Sequence, residues 1–93
     1  MSNAEVIRGF SGYIFWDVDR ETIDLAENAP FVVQRVLEYG QIGDWNNLLG
    51  YYGLGEIVGI AKQLRTLDPK ALAFISTVSD TPKEQFRCYN TRQ

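Results

Sequence analysis

Four residues, Trp45, Leu48, Leu49 and Tyr52, fall at i, i+3, i+4 and i+7, and this spacing limits the fold more than any other feature of the chain. Residues so spaced share one face of an α-helix, whereas on a strand they would divide between two faces. The stretch is bounded in the same idiom: Asp44 stands where an N-cap is expected and Gly53 where a helix stops.

The same punctuation recurs along the chain. Asn28 followed by Pro30 opens a helix that runs to Tyr39 and stops at Gly40, with Val32, Val33, Val36 and Leu37 on one side and Gln34, Arg35 and Glu38 on the other. A further helix is expected over Leu54 to Arg65, with Ile57, Ile60, Ala61 and Leu64 facing inward and Gly55 and Gly59 weakening it. Asp68-Pro69 is a cap followed by proline at the first helical position, and its helix should bury Ala71, Leu72, Phe74, Ile75 and Val78. Thr81 with Glu84 reads as a capping box for a last short helix that holds Phe86. Asp19 is a cap for a turn over Arg20 to Leu25.

Tyr13-Ile14-Phe15-Trp16 is a β-prone run, but no second segment offers a partner strand, and the chain has no alternating β-α pattern. The expected architecture is therefore all-α: a compact bundle of four to five short helices, helix-turn-helix-like in its middle, with an extended N-terminal segment packed against it. Residues 1–12 are expected as a flexible N-terminus, in which Ser2-Asn3-Ala4 reads as a remnant of expression and Met1 to Ala4 carry no fold expectation. Residues 13–89 form one helical domain and 90–93 a frayed tail.

At 93 residues such a domain has little interior to spare, so several of its twelve aromatic residues must be core. Trp16, Phe31, Trp45, Tyr52, Phe74 and Phe86 are the expected anchors.

Composition narrows the chemistry. The chain has no His, and Cys88 is its single Cys. His-based acid–base catalysis and Ser-His or Cys-His pairs are excluded, and a thiolate or imidazole zinc site lacks ligands. One thiol cannot form an internal disulfide, which favours a reducing, cytoplasmic setting, and no signal peptide or membrane-spanning run is seen. No cofactor is implied. Met1 to Asp44 carries eight acids against three bases, a net −5, while Trp45 to Gln93 carries four acids and six bases, a net +2. The first half suits a basic protein partner, although a solvated acidic face explains the same imbalance.

Asp17-Val18-Asp19-Arg20-Glu21 invites two metal readings, and both fail on spacing. A phosphatase-like D-x-D opening needs further carboxylates on a parallel sheet, and a calcium loop needs Gly at its sixth position and Glu at its twelfth, where Thr22 and Asn28 stand. Asp17, Asp19 and Glu21 remain as candidates for protein binding, with helix capping as the plainer account. Tyr51 joins them, because Tyr51 and Tyr52 are adjacent and one must point away from the core. Asp44 to Arg65 also reads as a DNA-binding helix-turn-helix in which Lys62, Arg65 and Lys70 would contact nucleic acid. Against this, the first turn of the second helix offers Leu54, Gly55 and Glu56, and a Glu there repels phosphate. Arg87 beside Cys88 could lower the thiol pKa, but a lone Cys near a chain end is more often incidental.

The elements Phe15-Trp16-Asp17, Arg35-Val36-Leu37-Glu38-x-Gly40, Tyr51-Tyr52-Gly53, Leu67-x-Pro69-Lys70-x-Leu72-x-Phe74 and Pro82-x-Glu84-x-Phe86-x-Cys88-Tyr89 follow one another in this order. Together they resemble a small bacterial domain of unknown function, common in Bacteroides-type bacteria. The pattern departs at Ala71, where Thr is expected, and at Leu54-Gly55, where a more polar pair is expected. The resemblance supplies no catalytic residues. It implies an antitoxin-like or adaptor role, because such proteins are often encoded beside nucleotidyltransferase-type toxins. The resulting expectation is a non-enzymatic protein-interaction domain, with DNA regulation as the alternative.

Overall fold

A computed structural model describes residues 3–90. Six helices follow one another: α1 (Asn3–Arg8), α2 (Ala29–Tyr39), α3 (Ile42–Tyr52), α4 (Leu54–Gln63), α5 (Pro69–Val78) and α6 (Arg87–Asn90). Single 3-10 turns at Gly12–Phe15, Arg20–Thr22 and Lys83–Gln85 link them, and no strand occurs among the described residues. The all-α bundle expected from the spacing is what the chain forms.

The centre is α2. Its Val32, Val33 and Val36 are buried, and it touches α3, α4, α5 and the Gly12–Phe15 turn. Leu48 from α3, Ile57 and Ala61 from α4, and Ala71, Leu72 and Ile75 from α5 close around it. Phe86 and Cys88 seal the C-terminal side and are fully buried. At about 25 cal/mol per Å² of apolar area, such side chains supply the bulk of the folding drive.

Two glycines shape the joints around α3. Gly53 takes φ +84° between α3 and α4, a region that disfavours any side chain. Gly40 ends α2, and a Cβ there would lie 2.6 Å from the Val36 carbonyl oxygen. Asp68 accepts from the Lys70 N–H and caps α5, and Asp19 accepts from the Glu21 N–H over the Arg20–Thr22 turn, both as the sequence suggests.

Several local expectations are corrected. The helix starting near Asp44 begins three residues earlier: Gln41 is the N-cap and Asp44 is the third helical residue, whose carboxylate reaches back to the Gln41 N–H. Tyr13 to Trp16 is a 3-10 turn rather than an extended segment. Trp16 is no core anchor; it is 61% exposed, and the buried rings nearby are Phe10 and Phe15. Val78 is exposed, at the end of α5. Pro82, not Thr81, precedes the last 3-10 turn, and no side-chain bond caps it. The helix expected to reach Arg65 ends at Gln63.

Residues 3–12, expected within a flexible N-terminus, pack on the domain. Val6, Ile7 and Phe10 belong to the core, and the Asn3 side chain bridges the Ile23 carbonyl and the Leu25 N–H at 2.8 and 2.6 Å. Met1, Ser2 and residues 91–93 of the expected tail lie outside the described residues.

Candidate protein-interaction surface

The Gly12–Phe15 turn sorts its side chains by depth. Ile14 and Phe15 enter the core, which leaves Tyr13 and Trp16 outside. In a 3-10 turn, positions i and i+3 lie one above the other, so Tyr13 and Trp16 share a side. Arg35 and Tyr39 lie one helical turn apart on α2 and meet them there.

Arg35 organises this surface. Its guanidinium lies 4.3 Å from the centre of the Trp16 ring and 4.6 Å from that of Phe31. Its Nη1 donates to the Ile14 carbonyl at 3.0 Å and its Nη2 to the Asp17 carboxylate at 2.9 Å. The Tyr39 ring meets Trp16 edge-on at 5.2 Å, and the Tyr13 hydroxyl donates to the Tyr39 carbonyl at 2.7 Å. Tyr13, Trp16 and Tyr39 are thus three exposed rings in one group, held by a cation beneath.

The charge of this group is fixed. The Arg35 hydrogen bond holds the Asp17 carboxyl below the usual carboxylate range against the opposing effect of desolvation, and Asp17 in turn raises Arg35. The ion pair is half in solvent, so it adds little to stability. Its consequence is geometric: the guanidinium lies where Trp16 can rest on it.

The other sequence candidates are scattered. Asp19 caps its turn and Glu21 is exposed beside it, both close in sequence to Asp17. Tyr51 is exposed, as its adjacency to Tyr52 implied, but it belongs to a separate shallow groove with Leu25, Ala26, Ala29, Tyr52, Glu56 and Ile60. There the Tyr52 hydroxyl donates to the Leu25 carbonyl at 2.6 Å, and burial, then the neighbouring Tyr51, Glu56 and Asp24, push it up to about 12.

Lys62 lies in the last turn of α4, where the helix dipole favours a cation, and Arg65 is exposed just beyond it. The side of α4 turned to solvent offers Leu54, Gly55, Glu56, Gly59 and Gln63, none of them cationic. Lys70 opens instead onto a cleft of about 250 Å³ between the end of α2 and the starts of α3 and α5. Trp45 and Phe74 line that cleft, their rings perpendicular at 5.1 Å, and Ile42 stands beside it, 69% exposed.

Sequence reasoning missed the ring group and the cleft. The group carries a local signal, since Tyr13 precedes Trp16 by three and Arg35 precedes Tyr39 by four, but the contacts between the two pairs span 19 or more residues. Among the described residues, no group of three or more His, Cys, Asp or Glu could hold a metal ion, and no helix is long and apolar enough to cross a membrane.

One family model, described as a family of unknown function (DUF6922), matches residues 10–61, just over half of the chain. No curated protein and no solved structure matches. The matched stretch contains Tyr13, Trp16, Asp17, Arg35 and Tyr39, while Lys62, Arg65 and Lys70 fall outside it.

Proposed function

The chain belongs to the DUF6922 family, whose description carries no activity, and we propose that it is a non-enzymatic protein-interaction domain that works through the Tyr13–Trp16–Tyr39 face. The observation that carries this reading is the exposure of Trp16 together with its rigid support from Arg35 and Tyr39. Large aromatic rings left in water are costly to keep, and fixed ones lose little further freedom on binding, so they serve as interface anchors. Asp19 and Glu21, exposed and three and five residues beyond Trp16, favour a basic partner.

The first partner to try follows from the resemblance: a nucleotidyltransferase-type toxin encoded alongside, which this domain would mask or position as an antitoxin or adaptor in the cytoplasm. Co-expression with the neighbouring gene product tests this. A stable complex that the Trp16→Ala chain fails to form supports the reading; separate elution at micromolar concentrations counts against it. The helix-turn-helix alternative has less support, because the solvent side of α4 lacks the cations that phosphate contact needs.

A further inference from the structure

We infer that the Trp16 face takes an extended, proline-containing segment of its partner with a Lys or Arg beside the prolines; this rests on the protein-interaction reading above. The Trp16 ring has Arg35 over one face at 4.3 Å and Tyr39 perpendicular to it at 5.2 Å, and Trp16 is still 61% exposed. The ring is already fixed, so a ligand finds a platform rather than a mobile side chain.

The indole N–H has no hydrogen-bond partner among the described residues. A flat apolar surface with an unused donor at its edge matches a polyproline II segment, which offers pyrrolidine rings and carbonyl groups that make no internal hydrogen bonds. The Tyr13 hydroxyl donates to the Tyr39 carbonyl and the Tyr39 ring adjoins Trp16, so three exposed rings are grouped there.

Charge separates proline from the simpler alternative, a cation stacked on Trp16. The inner face already carries the Arg35 guanidinium at 4.3 Å, which draws electron density toward it and leaves the outer face a poor seat for a second cation. An uncharged ring meets no such handicap. The partner's positive charge belongs instead opposite Asp19 and Glu21, exposed acids three and five residues beyond Trp16. Arg20, the base between them, donates to the Ile7 and Phe10 carbonyls at 2.8 and 3.4 Å, leaving both acids without it.

The test titrates the full, isotope-labelled chain with a lysine-flanked oligoproline peptide and with the same peptide carrying alanine in place of every proline. The readout is the Trp16 indole N–H resonance, told from that of Trp45 by its loss in Trp16→Phe. The expected result is a saturable shift with the proline peptide and none with the alanine peptide. Trp16→Phe keeps a ring but loses the donor, and it should bind about tenfold more weakly, a difference of about 1.4 kcal/mol. Trp16→Ala should show no binding, with helix content by circular dichroism unchanged. An unmoved Trp16 signal, or equal shifts with both peptides, overturns the proline assignment. In that event, a co-encoded protein that still needs Trp16 for its complex leaves the broader interaction reading standing, whereas loss of both removes it.

Discussion

Asp44 accepts the Ser11 N–H at 2.7 Å and the Ser11 hydroxyl at 2.8 Å, and so ties the start of the Tyr13–Trp16 turn to the first turn of α3 across 33 positions. The same carboxylate accepts the Gln41 N–H at 2.9 Å and is 3% exposed. One buried side chain therefore closes a helix N-terminus and positions the segment that carries the exposed rings.

Asp44→Ala should destabilise the domain by roughly 2–4 kcal/mol, because two backbone N–H groups and a hydroxyl lose their acceptor at a buried site. Ser11→Ala removes only the hydroxyl contact and should cost about 1 kcal/mol. Urea unfolding checks both: the midpoint should fall in that order with the slope unchanged.

Acid should weaken the domain through the same residue. Burial pushes the Asp44 carboxyl up, but the Gln41 and Ser11 hydrogen bonds outweigh it and hold it below its ordinary value of 3.8. A carboxyl depressed in the folded state adds stability that is present above the unfolded value and is lost as pH falls through the folded one. The urea midpoint should thus hold near neutrality and decline below about pH 4. Asp44→Asn should start lower and show a shallower decline. A decline equal to that of the unaltered chain would remove Asp44 as the cause.

Two glycines in different settings should respond in opposite senses. Gly40→Ala places a Cβ 2.6 Å from the Val36 oxygen and 3.1 Å from the Asp44 Cβ, and should cost roughly 1–3 kcal/mol. Gly59 lies inside α4 with open space around it, so Gly59→Ala should stabilise by about 0.4–1 kcal/mol. Thermal midpoints of the two variants against the parent chain decide the point.

What could be read from the residues divides along the distance over which each signal acts. The spans of α2 and α5 were legible because caps, prolines and i, i+3, i+4 stripes are local, as Asp68-Pro69 shows. Asp44 was misplaced by three positions because Gln41 is not among the strong N-cap residues, so the nearest strong one drew the boundary. Val6, Ile7 and Phe10 have helical spacing, but they lie in the stretch expected as a flexible N-terminus.

Ring size alone points Trp16 to the core. Its seat is a guanidinium from 19 residues later in the chain, and nothing near Trp16 announces that. Asp17 was a candidate from the start, but its partner Arg35, and with it the role of holding the Trp16 platform, emerged only in three dimensions. Tyr51 and the three cations Lys62, Arg65 and Lys70 were found one by one as exposed or charged residues, a property that does not gather residues into one place.

Calorimetric titration of the proposed partner, a nucleotidyltransferase-type protein, into this chain is the most direct test of the face proposed for binding. Trp16→Ala should weaken the interaction at least about a hundredfold, as removal of a central aromatic anchor does, while the Lys62→Ala, Arg65→Ala double variant binds as the parent chain does. Unaltered binding by Trp16→Ala, with binding lost in the double variant, would place the working surface on the other side of the molecule and contradict the account.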